Sequence, residues 1–280
     1  MDSAFAWKQY YAAERTRLGT AVLERLVAEA EPLAVARGGA IVMPHTRLEV
    51  TGAQIARVVA TVLESGADRV LALGVLHGGR RSDAARVAAA RDGDPDALSE
   101  LRGVHDEGGL ASEEFSLDAF ADLVELAARR AGRPVDVIRR YPFLVGEDPS
   151  SLPGIDELRA IVANGAPLVV TTDPIHHGHA YDTPPEDCCD EHDPSTTEMA
   201  SAAIDAQLDA LSGHRFDEFQ TLAAHHRSDF RDTGPVMAAL LGAGWSWDVH
   251  DVALVDYADA LDAPRPSWVA GALVTVSPAR

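Results

Sequence analysis

The chain has 280 residues, of which 46% are hydrophobic and 24% charged, and its formal net charge is −20. That balance excludes nucleic acid as a partner, because phosphate recognition needs concentrated Lys and Arg, and Lys8 is the only lysine. No run approaches the roughly 20 apolar residues of a membrane span, and Met1-Asp2-Ser3-Ala4-Phe5 lacks the basic start of a secretory signal, so a soluble cytoplasmic protein without a membrane partner is expected.

In chain order, Arg15 to Val35 reads as an amphipathic helix, with Leu18, Val22, Leu23, Leu26 and Val27 on one side. Ala40 to Met43 is a short apolar run ended by Pro44, the pattern of a buried parallel strand. Gln54 to Glu64 has helical spacing and Arg69 to Gly74 reads as the next strand, which completes a β-α-β unit. The alternation continues with helix over Leu117–Ala131, strand over Val135–Ile138, helix over Gly154–Ala163 and strand over Pro167–Thr172. Thr196–Leu211, Phe216–His226 and Gly234–Leu241 read as helices, and Val252–Tyr257 and Trp268–Val276 as closing strands. Asp92–Ser112 and Gly178–Pro194 read as long loops, a length that usually signals function or mobility. The expectation is one α/β domain over residues 1–280, a central mixed sheet flanked by helices, with residues 1–37 as a helical segment packed on it.

In open α/β sheets, ligands collect beyond the carboxyl ends of the strands. Three such ends deliver histidine here: Pro44-His45, Gly74-Val75-Leu76-His77, and Asp173-Pro174-Ile175-His176-His177-Gly178-His179. Two neutral imidazoles and one carboxylate form the facial triad of non-haem Fe(II) enzymes. Asp229 or Asp232, just ahead of Thr233-Gly234-Pro235, can supply the carboxylate, and either can equally be a helix N-cap. Arg47 and Arg80, close after His45 and His77, are candidate anion-binding groups, as is His179 for substrate. Asp187-Cys188-Cys189-Asp190-Glu191-His192 matches no standard zinc spacing and reads as a solvated loop; its adjacent cysteines are badly placed to bridge each other.

The residues resemble the Memo-like family and the class III extradiol dioxygenases related to it. Gly39-Ala40-Ile41-Val42-Met43-Pro44-His45 is similar to the family's strand and Pro-His-Ala-Gly motif, and Gly74-Val75-Leu76-His77 to its Gly-Pro-Ser-His. Thr171-Thr172-Asp173-Pro174-Ile175-His176 resembles Ser-Ser-Asp-Phe-x-His, and Asp256-Tyr257-Ala258 with Trp268 to Leu273 resembles the closing segments. The resemblance implies a class III extradiol dioxygenase-like fold with His45, His77 and Asp232 (or Asp229) as metal ligands. It places His176 beside the metal as the proton-transfer group, with Asp173 next to it in the motif. The implied cofactor is Fe(II), or another divalent metal, the implied partners are O2 and a small catechol- or aminophenol-like substrate, and a homodimer is among its implications.

Departures from the family pattern are specific. Pro-His-Ala-Gly is Pro44-His45-Thr46-Arg47, the second histidine of Ser-His-His is Gly78, and a family histidine is Phe115. The expected activity is oxidative C–C cleavage by a dioxygenase; the alternatives are a binding protein for metal or peptide without turnover, and a metal-dependent hydrolase or lyase in the same cleft.

Overall fold

A computed structural model of the protein describes residues 4–78, 81–145 and 148–279. Its frame is a mixed eight-stranded sheet. The strands are β1 (Ala40–Met43), β2 (Arg69–Leu73), β3 (Gly103–His105), β4 (Asp136–Phe143), β5 (Leu168–Thr171), β6 (Ile175–Gly178), β7 (Ser246–Asp256) and β8 (Ser267–Ser277). They run in the order β3-β4-β2-β5-β1-β8-β6, with β7 on the other edge of β8. β4, β2, β5 and β1 are mutually parallel, and β3, β6, β7 and β8 pair antiparallel.

The short apolar strands are explained by cover on both faces. Ala40, Val42, Leu71, Leu73, Leu168 and Val170 face a core built with α7 (Ile155–Ala163), α8 (Pro194–Ser212), α9 (Phe216–His225) and α10 (Phe230–Leu241). The alternate residues Ile41, Met43, Val70, Ala72 and Val169 face α3 (Leu48–Glu64), α4 (Arg81–Arg91), α5 (Pro95–Leu101) and α6 (Asp118–Ala131). This is the α/β arrangement of a mixed sheet between helical layers that the sequence predicts. No helix among the described residues is long and apolar enough to cross a membrane.

Several elements differ from the sequence expectation, each for a local reason. The N-terminal helix is two helices, α1 (Ala4–Leu18) and α2 (Thr20–Glu29), broken at Gly19 with φ +77°. α3 begins at Leu48, ahead of the expected Gln54, because the buried Glu14 carboxylate of α1 accepts the Leu48 and Glu49 amides and so caps the first turn from a distance. The segment 92–112 holds α5, β3 and a short 3-10 turn rather than open loop. β7 begins at Ser246, six residues before the expected strand; a register shift between Val249 and Asp251 breaks the alternation there.

α10 begins at Phe230, four residues before the expected Gly234. Pro235 therefore lies inside the helix, where it has no amide for the Arg231 carbonyl. The Gln220 side chain donates to that carbonyl instead, at 2.9 Å. This earlier start puts Asp229 at the helix entrance and Asp232 within the first turn.

A change of strand partner shapes the carboxyl end of the sheet. β1 pairs with the Val274–Val276 part of β8, and β6 pairs with its Ser267–Ala270 part, so β6 follows β1 along the same edge. The chain leaving β5 reaches that position across the end of β1, where the Thr172 amide donates to the Met43 carbonyl. Gly271 of β8 lies at the junction; a Cβ there would stand 2.7 Å from Cβ of Pro44.

Candidate metal centre

The strand ends and the α10 entrance bring His45, His77 and Asp229 together, with ligand atoms of all three within 4.8 Å of one another. Asp229 Oδ2 lies 3.6 Å from His45 Nε2, 3.5 Å from His77 Nε2 and 3.5 Å from His176 Nε2. Asp229 makes no side-chain capping bond, so its carboxylate serves the imidazoles and not the helix.

Each group is held from behind. His77 Nδ1 is 3.0 Å from Glu114 Oε2, and the amides of His77 and Gly78 donate to Glu114 Oε1, both at 2.7 Å. His45 donates its amide to Asp173 Oδ1 at 3.2 Å, and its Nδ1 lies 3.3 Å from Thr171 Oγ1. The His176 amide donates to the His226 carbonyl, and the Asp229 amide to the Asp173 carbonyl. Such partners fix ring orientation and tune the basicity of a ligating imidazole.

The site opens into a cavity of about 140 Å3 whose walls include Trp7, Tyr11, Phe115, Tyr181 and Tyr257. Phe115, where the resemblance leads one to expect histidine, stacks on His77 with ring centres 4.7 Å apart. Tyr11 and Tyr257 share a 2.6 Å hydrogen bond, and Tyr257 shares another of 2.6 Å with Thr46. Burial pushes the hydroxyls of Tyr11, Tyr181 and Tyr257 upward in pKa, so they remain neutral hydrogen-bonding groups.

The carboxyls and imidazoles divide the charge unequally. Burial pushes the Asp173 carboxyl up, offset in part by His45 and His176. Burial also opposes ionisation of Asp229, yet His176, His45 and His77 outweigh it and hold that carboxyl well below its usual range. For His77, burial disfavours the charged ring, but Asp229 and Glu114 overcome this and raise its pKa to about 10.

The expected site residues separate into two groups. His45, His77, Asp173, His176 and Asp229 all line the cavity. Asp232 does not belong there: it is fully buried, pairs with Arg91 and accepts the Leu144 amide at 3.0 Å. Of the two candidates for the third ligand, Asp229 is the one the fold delivers. Arg47 is turned to Glu49 and Glu14, His179 is exposed at the start of a 3-10 turn, and neither lines the cavity. Arg80 lies outside the described residues. Glu114, Trp7, Tyr11 and Tyr181 escaped the sequence reading. The only sequence signal for Glu114 was its position immediately before Phe115.

Compared with protein-family models and with curated protein sequences, the chain matches none.

Proposed function

We propose that the protein is a non-haem Fe(II) dioxygenase that cleaves a C–C bond of a small electron-rich substrate, catechol- or aminophenol-like. The observation that carries the reading is the convergence of His45, His77 and Asp229 at the wall of an aromatic cavity. Two imidazoles and one carboxylate fit Fe(II) by donor type and leave coordination positions for other ligands. Bound there, the iron would supply the electron path between substrate and O2.

The protein groups do the rest. The cavity of about 140 Å3 matches a single ring, since about 150 Å3 accommodates benzene. Phe115, Tyr181 and Trp7 line it with aromatic surface against which such a ring can pack. His176 shares the cavity wall, and its Nε2 lies 3.5 Å from the Asp229 oxygen that also faces His45 and His77. In this reading it takes a proton from a substrate hydroxyl and returns it to the product. Asp173 holds the His45 backbone in place beside it.

The test is reconstitution of anaerobically purified protein with Fe(II), followed by O2-uptake assays over a panel of catechols and aminophenols. The expected result is iron bound to wild type and lost in His45→Ala, with O2 consumed as the ring opens. Turnover without O2 uptake would replace this reading with metal-assisted hydrolysis or a lyase reaction. Absence of Fe(II) affinity would overturn it.

A further inference from the structure

Asp229 belongs to two sets of converging donors. The first is His45, His77 and Asp229; the second is Asp173, His176 and Asp229, and in each set the ligand atoms lie within 4.8 Å of one another. The sets touch at more than the shared carboxylate, because Asp173 Oδ2 is also 3.6 Å from His45 Nε2. One oxygen of Asp173 accepts the His45 amide, so the other remains available to a cation.

Charge balance points the same way. Asp173 and Asp229 line the cavity, the buried Glu114 backs His77, and no Arg or Lys is among the described lining residues. Buried carboxylates without compensating charge are costly. Sites holding two metal ions meet the same problem with two cations side by side.

We infer that the cavity contains a second divalent-cation position, formed by Asp173 and His176 and joined to the first through Asp229. It rests on the proposed function only for the ion on the first set. One imidazole with two carboxylates is a harder donor set than two imidazoles with one, and suits Mn2+ or Fe2+. Filling it takes His176 out of proton transfer, so metal in excess of one equivalent inhibits turnover.

The test is titration of the metal-free full chain with Mn2+, followed by calorimetry and by electron paramagnetic resonance, in wild type, His176→Gln, Asp173→Asn and His45→Ala. Asp173→Asn keeps an oxygen for the His45 amide, so it guards against a result caused by misfolding. The expected outcome is two ions per wild-type chain with a spin-coupled signal, and one uncoupled ion in both His176→Gln and Asp173→Asn. One ion in wild type, kept in His176→Gln and lost in His45→Ala, overturns the second position and leaves the first standing. Two ions in His176→Gln and Asp173→Asn would overturn it as well. Failure of wild type to bind any divalent ion, Fe2+ included, overturns both readings.

Discussion

Replacing Asp232 by Asn leaves the half-buried Arg91 beside a neutral partner and weakens the acceptor for the Leu144 and Val145 amides. Breaking a fully buried ion pair costs about 3 kcal/mol, so this half-buried one should cost less, read as a lower midpoint in denaturant unfolding, while metal stoichiometry stays unchanged. Asp229→Asn should do the reverse, with a large loss of metal affinity and little loss of fold. Three positions separate these carboxylates, and only the true start of α10 distinguishes their work. That start was hidden because Pro235 looks like a first helical residue, while the bond from Gln220 that permits it inside the helix comes from another element. His45, His77, Asp173 and His176 were legible because strand ends are marked by short apolar runs. Glu114 reaches His77 by tertiary contact, which leaves no spacing to read.

The His77 imidazole also makes a pH prediction. Its pKa in the metal-free fold is about 10 against 6.5 for the free side chain. The pairing with Asp229 and Glu114 therefore stabilises the fold fully below pH 6.5 and is lost as pH rises through about 10. Metal-free protein should lose thermal stability over that window. A metal ion on the first set must displace this proton, so its binding at neutral pH should release about one proton from His77. Calorimetry in buffers of different ionisation enthalpy measures that release directly; a value near zero would contradict the pairing.

At the scale of elements, the least legible part of the molecule is the one that closes the cavity. α1 carries Trp7 and Tyr11 into the wall and buries Glu14 against the start of α3. A buried carboxylate on the inward face interrupts the apolar periodicity by which a packed helix is recognised. β8 was legible because its apolar run is nearly continuous, yet the purpose of Gly271 within it was not. Cβ of an alanine at position 271 would meet Pro44 at 2.7 Å and the Thr46 side chain at 3.2 Å. Gly271→Ala is expected to push the segment carrying His45 away from Asp229. Metal affinity should fall at least about tenfold, the scale of loss when groups around a ligand are disturbed, while circular dichroism still reports a folded chain. Unchanged affinity would show that the junction yields elsewhere.

For the molecule as a whole, the layer order follows from alternation of strands and helices, which composition and periodicity carry well. What they do not carry is the move of β6 to the edge of β8 beyond β1, since that pairing joins residues 175–178 to 267–270. The long spacing of the site has a consequence for how it is reached in time. Its donors lie on His45, His77, Asp229 and, for the second set, Asp173 and His176, with α1 closing over them. These pieces meet only after β1, β2, β5, β8 and α10 have docked, so a chain still folding offers a cation no more than scattered single ligands. Metal should then leave the refolding rate nearly unchanged and slow unfolding in proportion to its binding energy, because its contacts are absent from the folding transition state. Stopped-flow chevrons recorded with and without the ion would show a shift confined to the unfolding arm. The metal would act as a latch set after assembly, and the holoprotein would owe its lifetime to slow release and not to fast folding.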